Sequence, residues 1–241
     1  MLCRMSSAER KKLPVFNSRL VTILVESFPK ILIPGLVRTI PLTAIAFSLA
    51  MVIAVAVALV QFANVRGLKQ VCRLYIWIIR GTPLLVQLFV VFYGLPHVGV
   101  VIDPFPAAIA VFSINEGAYA AEIIRAALES VPRGQMEAGY CVGMDYLQIV
   151  RRIILPQALR TAFPSLANSL IAMVKDTSLA SVVTVAEMMM ATKQLNALYY
   201  EPLALYLETA FIYLMFCTVL TKVQSWGERK LSAYEGKEVA V

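Results

Sequence analysis

Long apolar stretches separated by short charged ones set the architecture of this chain. Five windows have the length and polarity to cross a hydrocarbon layer of about 30 Å, which takes about 20 helical residues. They are residues 40–61, 74–95, 107–128, 157–174 and 203–221. The first is uncharged and rich in Ala and Val, and the second carries only Arg80. The third contains Glu116, Glu122 and Arg125, the fourth Arg160 and the fifth Glu208. Residues 20–37 form a poorer window, because Glu26, Pro29, Lys30 and Pro34 interrupt it. The pattern there favours an amphipathic segment on the outer face over a sixth span. The expected fold class is an all-α membrane protein.

Basic residues orient the spans, since cytoplasmic loops carry excess Lys and Arg. Arg66, Lys69, Arg73 and Arg80 place the first loop inside, whereas residues 96–106 contain no Lys or Arg and lie outside. Arg125, Arg133, Arg151, Arg152 and Arg160 put the next connection in the cytoplasm, and Lys222, Arg229, Lys230 and Lys237 put the C-terminus there too. Five spans then leave the N-terminus outside, although Arg4, Arg10, Lys11, Lys12 and Arg19 favour the cytoplasm. The basic stretch lacks the clean apolar region and cleavage site of a signal peptide.

Composition agrees with the pattern. With 59% hydrophobic residues, mean hydropathy +0.74 and 15% charged residues, the chain holds more apolar surface than one soluble core could hide. The net charge of +7 is topological in origin and forms no aromatic-interleaved strip for nucleic acid. Cys3, Cys72, Cys141 and Cys217 are scattered and read as packing residues, without a metal or disulfide role. His97 is the only histidine, and no nucleophile or metal constellation surrounds it, so neither a cofactor nor an enzyme activity is expected. No G-x-x-x-x-G-K-[ST] loop is present, so ATP would have to act through another subunit.

Between two apolar runs, residues 137–156 read EAGYCVGMDYLQIVRRIILP. Small residues at Ala138, Gly139 and Gly143 would let a partner surface approach the backbone closely. Pro156 suits the first turn of the helix that follows, where its missing N–H is no loss. An interfacial amphipathic helix without a partner is the plainer alternative. The spacing of Glu137, Ala138 and Gly139 to Gly143, then to Ile153, Leu155 and Pro156, resembles the EAA signature of ABC importer permeases.

RGTPLLVQLFVVFYGLP at 80–96, NEGAYAAEIIRAAL at 115–128 and VKDTSL at 174–179 extend the likeness. In this order they resemble the polar amino acid family of ABC importer permeases, which includes histidine, glutamine, arginine and cystine systems. The resemblance implies a MetI-like five-helix permease core with a cytoplasmic EAA coupling helix. It covers residues 25–230, leaving a basic extension at 1–24 and a tail at 231–241. It also implies two copies of a separate ABC ATPase, an extracytoplasmic solute-binding protein and a second permease chain, identical or related, in a bacterial inner membrane. Coupling would fall to Glu137, Ala138, Gly139, Gly143, Ile153, Leu155 and Pro156. Gly139 departs from the Ala usual in the family, and Gly costs a helix up to about 1 kcal/mol, which suggests looser docking there.

Polar side chains inside apolar windows mark the candidate path, since each costs about 2.5–3.5 kcal/mol to insert. Asn115, Tyr119 and Glu122 share one helical stripe, with Glu116 about 100° away. Asn115 either meets the termini of an amino acid or bonds a neighbouring helix, and Glu122 is placed to pair with Arg125. Lys175, Asp176, Thr177 and Ser178 mark a helix break that lines a cavity or caps at the headgroups. Gln87 recognises a zwitterion or bridges helices, and Arg80 is expected to snorkel to the cytoplasmic boundary. Glu116, Asp176 and Glu208 are dispersed in sequence and predict no carboxylate cluster. The competing function is an ion-coupled secondary transporter with those carboxylates as relay groups.

Overall fold

The computed structural model describes residues 18–63 and 66–232. Most of the basic N-terminal extension and of the C-terminal tail, with Cys3 and Lys237, lies outside the described residues. Among those described, every regular element is helical: α1 (Ser18–Pro34), α2 (Ile40–Phe62), α3 (Leu68–Arg80), α4 (Leu84–Phe89), α5 (Pro104–Ser130), α6 (Arg133–Cys141), α7 (Tyr146–Ile149), α8 (Leu155–Asp176), α9 (Met188–Tyr199) and α10 (Pro202–Ser232). Four helical courses are long and apolar enough to cross a membrane, and the bent pair α3–α4 supplies a fifth.

Packing is organised around α2 and α5, the most extensively paired elements. Ala46, Ala50, Ala54 and Ala58 recur every fourth residue on α2 and are fully buried. Their small side chains let the α5 backbone come close, which is how helices associate where water supplies no driving force. Gly117 on α5 completes the fit. A Cβ there would lie 2.9 Å from Ile53 Cγ2 and 3.1 Å from the Tyr75 hydroxyl. That hydroxyl donates to the Ile114 carbonyl at 2.6 Å and ties α3 to α5.

Residues 20–37 do not stand apart as a separate segment. α1 continues into α2 through helical backbone at Pro34 and Ile40, giving one course of 45 residues over Ser18–Phe62. At 1.5 Å per residue it is about 68 Å long, far more than a bilayer core needs. The α1 half packs on α9 and α10, whereas the α2 half packs on α5. No reversal makes it a sixth, returning span.

The second expected span also differs. In place of one straight helix over 74–95, α3 ends at Arg80 and the chain turns by 99° into Leu84–Val98. Gly81, Thr82 and Pro83 supply the break. Pro83 takes an extended conformation, φ −63° and ψ 138°, at the start of α4, and Gly-Thr-Pro is poor helix chemistry in any setting. The fourth expected span starts earlier than Pro156. Asp145 caps α7 in a reciprocal box, its carboxylate accepting from the Gln148 N–H at 2.8 Å while the Gln148 side chain accepts from the Asp145 N–H. The helical course then runs through Tyr146–Val183.

Three widened π turns share one cause. Gly35–Thr39, Val90–Gly94 and Val150–Ile154 each end two residues before a proline: Pro41, Pro96 and Pro156. Proline has no N–H and its ring crowds the carbonyl four residues back. The preceding residue instead bonds five residues back: Ile40 to Gly35, Leu95 to Val90 and Leu155 to Val150. The helix absorbs the proline by widening and does not stop.

Candidate functional site

The bend after α3 leaves carbonyls without helical partners, and Gln87 satisfies them. Its amide nitrogen donates to the Ile79 carbonyl at 2.8 Å, the Thr82 hydroxyl at 2.9 Å and the Thr82 carbonyl at 3.2 Å. Its amide oxygen accepts from Asn115 Nδ2 at 3.1 Å. Gln87 thereby fixes the turn and holds Asn115 of α5 in place.

In front of that pair lies a cavity of about 660 Å³ between α3, the bend, α5 and the end of α8. Asn115, Glu116 and Tyr119 face it from α5, Asp176 and Ser169 from α8, and Arg80 from α3. Glu116 Oε1 is buried and has no hydrogen-bond partner among the described residues. Carboxylates are costly in an apolar setting, and a cationic group in the cavity beside Glu116 and Asp176 would offset that cost. Arg80 lies 5.1 Å above the Tyr119 ring and 3.7 Å from the Glu122 carboxylate. The cavity thus carries carboxylates and a guanidinium on different walls, the arrangement that matches a zwitterion.

Three sequence expectations need correction here. Arg80, expected only at the cytoplasmic boundary, lines the cavity beside the break. Glu116 and Asp176, distant in sequence, line one wall system, whereas Glu208 hydrogen-bonds Ser27 on α1 and lies elsewhere. Of the polar quartet after α8, only Asp176 lines the cavity. Thr177 is buried and donates to the Val174 carbonyl at 2.6 Å, the Ser178 carbonyl accepts from Ser181 at 2.7 Å, and Lys175 is exposed away from it. The break itself is a change of pitch, since α8 passes into a 3-10 helix over Thr177–Val183.

Glu122 bounds the cavity on the side toward α6. It accepts from Arg125 Nε and Nη2, both at 3.0 Å, which is the i+3 pairing its spacing predicts. Gln61 of α2 reaches the same carboxylate at 3.5 Å, and Arg125 bridges on to Glu129 at 2.7 Å.

The docking segment is built differently from expectation but keeps its exposed face. α6 spans Arg133–Cys141, which places Glu137 past its first turn. Glu137 and Ala138 are exposed. Gly143 ends the helix at φ +80°. Around it the Met144 N–H donates to the Gly139 carbonyl and the Gly143 N–H to the Tyr140 carbonyl, both at 3.0 Å, the two bonds of a Schellman stop. Gly139 faces inward: a Cβ there would lie 2.6 Å from Ile149 Cγ1. Its small size admits Ile149, a different role from loosening the docking surface. Ile153 and Leu155 pack on the core cluster that holds Ile149, Ile154 and Ala158, while Pro156 is exposed beyond the π turn.

Among the described residues no group of three His, Cys, Asp or Glu side chains is placed to hold a metal. Sequence reasoning passed over Glu116, Ser169 and Arg80 as site residues. Adjacency of Glu116 to Asn115 and the Gly-Thr-Pro break after Arg80 were the available signals.

Comparison with known proteins agrees with this geometry. Residues 50–233 match the binding-protein-dependent transport system inner membrane component family. The L-cystine transport system permease protein TcyB of Bacillus subtilis (strain 168) is 47% identical over 213 residues, covering 88% of this chain and 91% of that one. The nopaline transport system permease protein NocM of Agrobacterium fabrum (strain C58 / ATCC 33970) is 35% identical over 218 residues, covering 86% and 90%. A crystal structure of an amino acid ABC transporter with histidines aligns at TM-score 0.80 and 34% identity, covering 86% of this chain and 96% of that chain. An inward-facing MetNI methionine ABC transporter shares the fold at TM-score 0.69 and 19% identity. Permeases of this family are not enzymes in themselves, and the match to a binding-protein-dependent system gives no support to ion-coupled secondary transport. The chain is a multi-helix membrane protein of the binding-protein-dependent transport system inner membrane components, and within them of the amino-acid ABC transporter permeases.

Proposed function

We propose that this chain carries a polar amino acid, cystine foremost, through the cavity bounded by Asn115, Glu116, Tyr119, Asp176 and Arg80. The observation that carries the reading is the gathering of Asn115, Glu116, Asp176 and Arg80 around one cavity. The substrate ammonium group lies toward Glu116 and Asp176, and its carboxylate toward Arg80 and Asn115. Likeness to a cystine permease at 47% identity supports the choice of solute.

Energy enters from two copies of an ABC ATPase that dock on the exposed face of α6 at Glu137 and Ala138. An extracytoplasmic solute-binding protein delivers the amino acid, and a second permease chain, identical or related, completes the transporter in a bacterial inner membrane. ATPase closure moves α6, and the movement passes through Ile149, Ile153 and Leu155 to α8 and the core.

Reconstitution of this chain with its ATPase and binding protein in vesicles tests the reading. ATP-dependent uptake of labelled cystine should exceed that of histidine, glutamine and arginine. Glu116→Gln and Asn115→Ala should each lower uptake at least tenfold. Wild-type uptake by both variants would remove the cavity from the path.

A further inference from the structure

Two more cavities continue the first along the chain toward α6. One, of about 430 Å³, is lined by Gln61, Lys69, Arg73, Trp77, Glu122 and Arg125. The next, of about 650 Å³, includes Gln61, Lys69, Glu129, Arg133, Met136 and Glu137. The substrate cavity and the second share Glu122 and Arg125 as a common wall. The second and third share Gln61, Lys69 and Glu129. A series of hollows therefore leads from Asn115 to the docking helix inside one chain.

We infer that the Arg80–Glu122 contact is a charge gate between the first two hollows, and that the amino acid leaves through this route once Arg80 parts from Glu122. The inference rests on the substrate reading of the Asn115 cavity. The parts of the gate differ in how firmly they are held. Glu122 is anchored on α5 by Arg125 at 3.0 Å and by Gln61 at 3.5 Å from the tightly packed α2. Arg80 stands on the last turn of α3, beside the 99° bend, and reaches Glu122 only at 3.7 Å. The Arg80 side chain, 41% exposed and held to Glu122 by this longer contact, is the movable side.

Charge orders the passage as well. Beyond the gate, Lys69 and Arg73 line the second hollow together with Arg125, facing Glu122 and Glu129. A zwitterion released from Glu116 meets cations that receive its carboxylate, while Arg80, freed from Glu122, exchanges one carboxylate partner for another. Glu137 and Arg133 of α6 line the third hollow, so the exit of this route lies beside α6.

The test uses the complete transporter in vesicles preloaded with labelled cystine, without ATP. Arg80→Gln and Glu122→Gln are each expected to raise passive efflux at least fivefold over wild type. In a background with all four native cysteines replaced, Arg80→Cys with Glu122→Cys is bridged by a bis-methanethiosulfonate reagent. Bridging should cut ATP-driven uptake at least tenfold relative to the same double-cysteine protein before bridging, and reduction, with the reductant removed before labelled cystine is added, should restore that level. Unchanged efflux in both glutamine variants, or uptake within twofold after complete bridging, overturns the gate. Asn115→Ala in the same vesicles separates the two readings: if it impairs uptake while bridging does not, the gate alone fails, and if it does not, the cavity reading fails first.

Discussion

Gly139 and Gly143 lie four residues apart and are glycine for opposite reasons. At Gly143 nothing lies within 4 Å of where a Cβ would stand, and the requirement is the backbone angle of +80°. Gly143→Leu should therefore cost about 1–2 kcal/mol at the helix end and uncouple ATP hydrolysis from uptake while the chain still inserts. Gly143→Asn, which tolerates that region, should retain most transport in the same vesicle assay. At Gly139 the backbone is ordinary helix and the requirement is space. Gly139→Ala gains up to about 1 kcal/mol of helix propensity but forces Ile149 aside, and overpacking costs about 1–3 kcal/mol. The net effect should be a lower thermal unfolding midpoint, recovered by adding Ile149→Val. The sequence showed both glycines and could not separate them, because Ile149 reaches Gly139 only after the Schellman stop folds the chain back. Glu116 was not chosen as a site residue for the same kind of reason: its companion Asp176 is brought near by the packing of α8 on α5.

Among the elements, the bend between α3 and α4 departs most from a hydropathy reading. Averaged apolarity over residues 74–95 sees one rod, while Gly81, Thr82 and Pro83 make two. Gln87 is what makes the bend affordable in an apolar setting, since three of its contacts go to groups at the turn. Gln87→Leu leaves the Ile79 and Thr82 carbonyls with no side-chain donor, at about 1–3 kcal/mol for each group left unsatisfied. The variant should unfold at lower temperature than wild type, and it should also lose uptake because Asn115 loses its anchor. Stability loss with normal uptake would confine Gln87 to the fold. By contrast, α5 matches the expected window 107–128 to within three residues at each end, because no proline or Gly-Thr-Pro break interrupts its apolar run.

For the molecule as a whole, the α2–α5 pair is the frame on which both the cavity and the docking helix are hung. Gly117→Leu would drive a large side chain into Ile53 and Tyr75, and the expected outcome is failure to accumulate in the membrane, read by quantitative blotting of membrane fractions. Fold class and number of spans were open to sequence reasoning because hydrocarbon demands long apolar helices. Their starting points were not, since Pro156, which looked like a helix opening, follows a widened turn inside a longer helical course. Each such turn holds one spare residue relative to a regular helix. Deleting a single residue from Val150–Ile154 would let the winding tighten to an ordinary α turn and leave the upstream segment nearly in phase with α8, whereas a deletion within regular α8 would rotate it by about 100°. The wide turn is therefore a slot that holds one extra residue without re-aiming the exposed side of α6.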